Sequence, residues 1–282
     1  LSLGVKPLLV QNAAQWRDAM NYLAWIVLAL LLVAAFLAKK NPEQYGIEPF
    51  GAIPAAPGTQ AKPEYIWGVG EAFGTAAIWG SILAFLTCMI GEFLIWTQVV
   101  HYWTKDLNMT LDAATNLYVA IGIAGIFTMP LMGIVADKVV VHLGNEVKGR
   151  KAMLIFAPVV GILACVLLLS MSATSTILGI VVCILFATYW AIEPGGVVGY
   201  AGAIYGRVSL GKIWGAATLI VMGIGPALGS YMGGYLADTS GNFTASIQFA
   251  MASFALSAVI AFFLPMKATA KAAAAEESKV IE

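Results

Sequence analysis

Two carboxylates stand where a charged group is costly. Glu92 lies midway along an apolar run at 77–102, and Glu193 lies within another at 174–204. A charged side chain at a helix centre costs about 2.5–3.5 kcal/mol on insertion scales, so such groups face a cavity or a partner. Cys88, Glu92, Trp96 and Val99 recur at helical spacing, which places them on one face. A carboxyl group beside an indole there is a candidate cavity wall. Burial penalises its ionised form, and a carboxyl group under that pressure is suited to carry a proton. The structural alternative is a Glu hydrogen-bonded to a neighbouring helix. Glu193 sits in YWAIEPGGVVGY. Pro194 removes a backbone donor, and Gly195 and Gly196 loosen the helix further. Carbonyls freed in this way need water or side chains, which at membrane depth implies a cavity. Tyr189 and Tyr200 fall on the Glu193 side, at i−4 and i+7. The plainer alternative is a packing kink whose Glu reaches the interface.

The elements that must position these groups are membrane helices. Of 282 residues, 60% are hydrophobic and 11% are charged, with a mean hydropathy of +0.86. Soluble domains are about 45–50% apolar and about 25% charged. This composition excludes soluble enzymes, nucleic-acid binders and secreted modules, and the balance of 15 basic and 15 acidic residues implies no polyanionic partner. Runs of about 20 apolar residues span a bilayer as helices. Seven occur, at 19–38, 77–102, 113–136, 152–170, 174–204, 213–236 and 244–265. They are apolar all round, which excludes the alternating strands of a β-barrel. Loop charge orients them: Lys39, Lys40, Lys62, Lys138, Lys148, Arg150, Lys151, Arg207, Lys212, Lys267, Lys271 and Lys279 all fall on one side. By the positive-inside rule that side and the C-terminus are cytoplasmic, in the cell (inner) membrane. Trp16 and the Tyr102-Trp103 pair then suit an outer interfacial belt, and Trp79 and Trp214 an inner one. The loop at 39–76, with five prolines, reads as an extended cytoplasmic linker. Residues 267–282 read as a solvated cytoplasmic tail.

Other chemistry finds little support. His101 and His142 fall on opposite sides, and no span holds His or paired carboxylates at ligand spacing, so no metal or other cofactor and no enzymatic activity is expected. Cys88, Cys165 and Cys183 lack CxxC spacing. No GxxxxGK[ST] motif appears. A seven-helix retinal receptor would need a Lys in the last span, which has none. Gly225, Gly229 and Gly233 repeat every four residues, as do Gly195, Gly199 and Ala203. Small residues at that spacing let two backbones pack closely.

Three stretches carry a family resemblance. QWRDAMNYLAWIVLALLLVAAFLAKKNPEQYGIEP from Gln15 is similar to the sixth helix of the major facilitator superfamily. GIVADK at 133–138 with GRK at 149–151 resembles its loop motif G-x-x-x-D-(R/K)-x-G-R-(R/K), with Gly133, Asp137, Lys138, Gly149, Arg150 and Lys151 as members. Residues 139–148 separate the two halves. GPALGSYMGGYLADTSGNF at 225–243 looks like the eleventh helix and its outer loop.

The resemblance implies an all-α integral membrane protein whose seven helices match helices six to twelve of the twelve-helix fold, N-terminus outside and C-terminus cytoplasmic. Residues 1–38 would end the N-terminal half, 39–76 would be the central linker, and 77–266 the C-terminal six-helix bundle. The rest of the N-terminal half would precede Leu1. TQVVHYWTKDLNMTLDAATNLY looks most like the oxalate/formate antiporter and monocarboxylate porter branch, although Met129 stands where that branch usually has Arg. The implied function is secondary transport of a small solute, such as an organic anion, by alternating access with proton coupling. Lys6 would lie about 15 Å deep if Trp16 marks the outer surface. There it could bind an anion or pair with a Glu. The loop motif would latch the inner gate. A non-transporting scaffold on the same fold is the competing expectation.

Overall fold

The computed structural model describes residues 16–38, 42–46 and 65–267. Seven long helices fill most of that span: α1 Trp16–Leu37, α2 Ala76–His101, α3 Leu111–Leu143, α4 Glu146–Leu169, α5 Thr176–Tyr205, α6 Arg207–Ser240 and α7 Thr244–Phe262. All seven are long and apolar enough to cross a membrane. The chain divides into two compact units, 1–63 and 64–282. The first contributes α1 and a 3-10 turn at Pro42–Tyr45. Lys6 lies outside the described residues.

The second unit is a bundle of α2–α7, in which α2 packs on α6 and α7, and α5 packs on α3 and α4. α2 and α5 run antiparallel. Thr75, before α2, meets the Tyr205 hydroxyl at 2.6 Å. At the other end the Tyr102 hydroxyl donates to the Leu168 carbonyl at 3.2 Å. Helix ends follow local chemistry. The Thr110 hydroxyl accepts from the Ala113 amide at the start of α3, and Asn145 Oδ1 accepts from the Lys148 amide at the start of α4. Such caps are worth about 1 kcal/mol each. Gly144 ends α3 at φ +62°, and Gly206 joins α5 to α6 at φ +75°, conformations that a Cβ disfavours.

Three sequence expectations change. α2 continues through a π-helical turn, Tyr102–Asp106, in which Tyr102 and Trp103 are buried. That pair packs inside the bundle and forms no interfacial belt. α3 is 33 residues long, about 50 Å, so it outruns a hydrocarbon core of about 30 Å. The end of the 39–76 segment is folded onto the bundle, not extended. There Val69–Ala72 is helical, the Trp67 amide donates to Ser209 Oγ at 2.9 Å, and the Trp67 ring meets Tyr205 edge-on at 5.2 Å.

Candidate functional site

Glu92 on α2 and Glu193 on α5 are both 0% exposed. Their four carboxyl oxygens have no hydrogen-bond partner among the described residues. The bundle itself hides them: α2 and α5 meet along two i, i+4 pairs, Cys88 with Glu92 and Tyr189 with Glu193. The Tyr189 hydroxyl donates to Cys88 Sγ at 2.9 Å and to the Cys88 carbonyl at 3.3 Å. Glu92 lies within electrostatic reach of Tyr189 and Glu193, and Cys165 of α4 feels Glu92. Phe254 of α7 closes the group from below, its ring 4.9 Å from that of Tyr189. Close approach of Phe254 depends on Gly91, where a Cβ would fall 2.7 Å from the ring. The structure therefore brings together Glu92, Glu193 and Tyr189, which the sequence had separated by about a hundred positions.

Trp96 stands one turn beyond Glu92. Its ring lies 5.4 Å from that of Trp190 and 6.3 Å from that of Phe93. The three rings are half-buried, and Trp96 Nε1 is enclosed without a partner among the described residues. Tyr200 does not join the carboxyls. Seven residues on, it lies about 10 Å further along α5. There its hydroxyl donates to the Pro265 carbonyl at 2.6 Å. Periodicity placed Tyr200 on the right face but at the wrong depth.

The loop-motif residues meet at the end of the bundle that carries most of its basic side chains. Arg150 Nη2 donates to Asp137 Oδ1 at 3.0 Å, and Glu146 is 3.9 Å from the same nitrogen. The intervening residues explain the split motif: 139–143 extend α3, α4 begins at Glu146, and the antiparallel hairpin returns Arg150 to Asp137. Gly149 permits this, because a Cβ would fall 2.6 Å from Val140 Cα. Asp137 is 71% exposed and the Arg150 side chain 22%, so the pair is worth about 0–1 kcal/mol. Lys151 Nζ donates to the Leu264 carbonyl at 2.7 Å, tying α4 to the end of α7. Gly133 has open space around its Cα, and Lys138 makes no contact that bears on the latch.

Gly225, Gly229 and Gly233 lie along the α2–α6 contact. A Cβ on Gly225 would fall 2.6 Å from Met89 Cβ, one on Gly229 would strike the Ile90 carbonyl oxygen, and one on Gly233 would fall 2.8 Å from Gln98 Cγ. The stripe thus sets how closely α6 approaches the helix that carries Glu92. Sequence reasoning missed Phe254, Gly91 and Trp190. The signal for Gly91 was its place next to Glu92. Nothing in the order of residues pointed to Phe254, which meets the carboxyl pair only through packing.

A bundle of apolar helices of membrane length, with a buried carboxyl pair at its centre, defines a polytopic membrane protein. The chain belongs to the Major Facilitator Superfamily, whose family model matches residues 4–222. It is therefore a multi-pass membrane transporter of that superfamily. Among curated proteins, none matches the chain.

Proposed function

We propose that this chain is the C-terminal portion of a proton-coupled secondary transporter that moves a small solute by alternating access. The observation that carries the reading is the pair Glu92 and Glu193, both fully buried and both without a hydrogen-bond partner among the described residues. A structural carboxylate inside a bundle is normally paired or hydrogen-bonded, because an unpartnered buried charge costs several kcal/mol. A carboxyl group that must gain and lose a proton is held without a fixed counter-ion. The carboxyls sit within the bundle and not on its surface, so they carry protons and do not bind the solute directly. The solute cavity lies between this bundle and the remaining helices of an N-terminal half, with the aromatic group of Phe93, Trp96 and Trp190 facing it. Asp137 and Arg150 hold the cytoplasmic gate. The cell (inner) membrane is the proposed location.

The branch resemblance favours a monocarboxylate or another organic anion. Within α2–α7 every Lys and Arg lies near a helix end, so the positive charge for an anion comes from Lys6 or from the N-terminal half.

The test uses the full-length protein in proteoliposomes with imposed pH gradients and a panel of labelled monocarboxylates and oxalate. Uptake that rises with the gradient and is lost in Glu92→Gln or Glu193→Gln supports the reading. Uptake indifferent to pH, with both variants fully active, sinks proton coupling. Wild-type protein that moves nothing in the panel, yet holds a stable complex with another membrane protein, supports the scaffold reading.

A further inference from the structure

The proton-carrier reading leaves open how two carboxyls in one dry compartment can both serve. Two like charges in a low-dielectric interior oppose each other, so the pair resists being doubly ionised. Among the described residues no cationic side chain bonds to either carboxyl group. α2 contributes Cys88 and Glu92 to the compartment, α5 Tyr189 and Glu193, α4 Cys165, and α3 Tyr118. α7 contributes Phe254 and Ser257 but no titratable group, and the Lys and Arg side chains of α2–α7 stay near helix ends.

Antiparallel packing sets the order. Glu92 falls level with Tyr189, and Cys88 falls level with Glu193, with which it interacts. The Tyr189 hydroxyl ends at Cys88 Sγ, one turn along α2 from Glu92, with which Tyr189 also interacts. A phenol has one proton to donate and can also accept. Here that proton is divided between a weak sulfur acceptor and the Cys88 carbonyl at 3.3 Å, while four carboxyl oxygens nearby have no donor among the described residues. Ser257 cannot take the same part, because its hydroxyl is committed to the Ala84 carbonyl at 2.8 Å.

We propose that Tyr189 is a positioning residue through which Glu92 and Glu193 share one proton, its hydroxyl shifting its donation between Cys88 Sγ and whichever carboxyl group is ionised. The transfer balances without a further reactant. Protonated Glu92 gives its proton to Tyr189 Oη as Tyr189 gives its own to the Glu193 carboxylate. One proton has moved between the carboxyls, and the tyrosine is neutral before and after. This rests on the proton-carrier reading and adds to it a single shared proton with a fixed route.

Infrared difference spectroscopy between acidic and alkaline buffer, on the full-length protein in lipid, tests both and separates them. The readout is the C=O stretching band of the protonated carboxyl, which a hydrogen bond to a partner moves to lower wavenumber. Glu92→Gln and Glu193→Gln are each expected to alter or abolish the band. Tyr189→Phe is expected to move it to higher wavenumber, because the protonated carboxyl loses the phenol oxygen to which it donates. Cys88→Ala is expected to move it to lower wavenumber, because the hydroxyl keeps only the long bond to the residue 88 carbonyl and settles between the two carboxyl groups, accepting from the protonated one. A Tyr189 that merely fills space would leave the band in place. If Tyr189→Phe and Cys88→Ala both leave the band unmoved while the Glu variants alter it, the tyrosine route is wrong and the proton carriers stand. If neither Glu variant alters the band, both readings fall.

Discussion

The middle of the bundle and its basic end use polar groups in opposite ways. At the basic end, Arg150, Lys151 and Tyr200 each donate to a named acceptor, respectively Asp137, the Leu264 carbonyl and the Pro265 carbonyl. Those contacts tie α3 to α4, α4 to the end of α7, and α5 to the same end. At mid-depth, Glu92 and Glu193 have no such partner among the described residues, although they are as fully buried as Tyr200. A polar group that holds helices together finds a partner, because an unpaired one costs about 1–3 kcal/mol or more when charged. Groups left unpaired in a well-packed interior are maintained at the expense of stability. The contrast separates residues that build the bundle from residues that act in it, and each prediction below tests that division.

The largest effect is expected at the α2–α6 contact. Gly229 packs against the Ile90 carbonyl oxygen so closely that any side chain must push the helices apart. Overpacking usually costs about 1–3 kcal/mol, and more where the obstacle is backbone. Gly229→Val is expected to abolish recovery of monodisperse protein in detergent. Wild-type yield from that variant would show that α6 does not seat on α2 as described.

Glu92→Gln and Glu193→Gln come next, and their sign is the point. If the carboxyls act and do not build, uptake falls at least tenfold while thermal stability holds or rises, because a neutral amide is easier to bury than a charge. A fall in melting temperature equal to that of Gly229→Ala would place the carboxyls among the builders. Both transport and melting curves are needed, since loss of uptake alone does not distinguish the two.

Much of the fold was legible and less of the site. Hydropathy marked all seven helices because a bilayer demands about 20 apolar residues in sequence, and that demand is local. Loop-motif residues were recognisable by type, although the helical extension of α3 through 139–143 was not. Val139, Val140 and Val141 suit a helix or a loop equally, and only contact with Gly149 decides between them. Depth was harder to read than face. Helical spacing put Tyr200 with Glu193, and the aromatic-belt rule put Tyr102 and Trp103 at an interface. It cannot say which neighbouring helix covers a side chain or how far along it lies. The Glu92–Glu193 compartment is made of residues from α2, α3, α4, α5 and α7, and pairing across helices leaves no trace in the order of residues.

The smallest effects are expected at the basic end, where they sharpen the division. Lys151→Met keeps most of the apolar stem and removes the donation to the Leu264 carbonyl, a contact worth about 1 kcal/mol. Asp137→Asn weakens a pair that is exposed on one side, for at most about 1 kcal/mol. Both variants should remain folded, with Lys151→Met the less stable of the two in thermal melts. Their transport should part company. Lys151 ties the end of α7 to α4 within the bundle and has no part in a gate, so Lys151→Met should keep its uptake once corrected for protein amount. Asp137 belongs to the loop motif, and if that motif holds the inner gate, Asp137→Asn should lower uptake several-fold with scarcely any loss of stability. Equal uptake in the two variants would assign the Asp137–Arg150 contact to construction, alongside Lys151, and leave the carboxyl pair at mid-depth as the acting site.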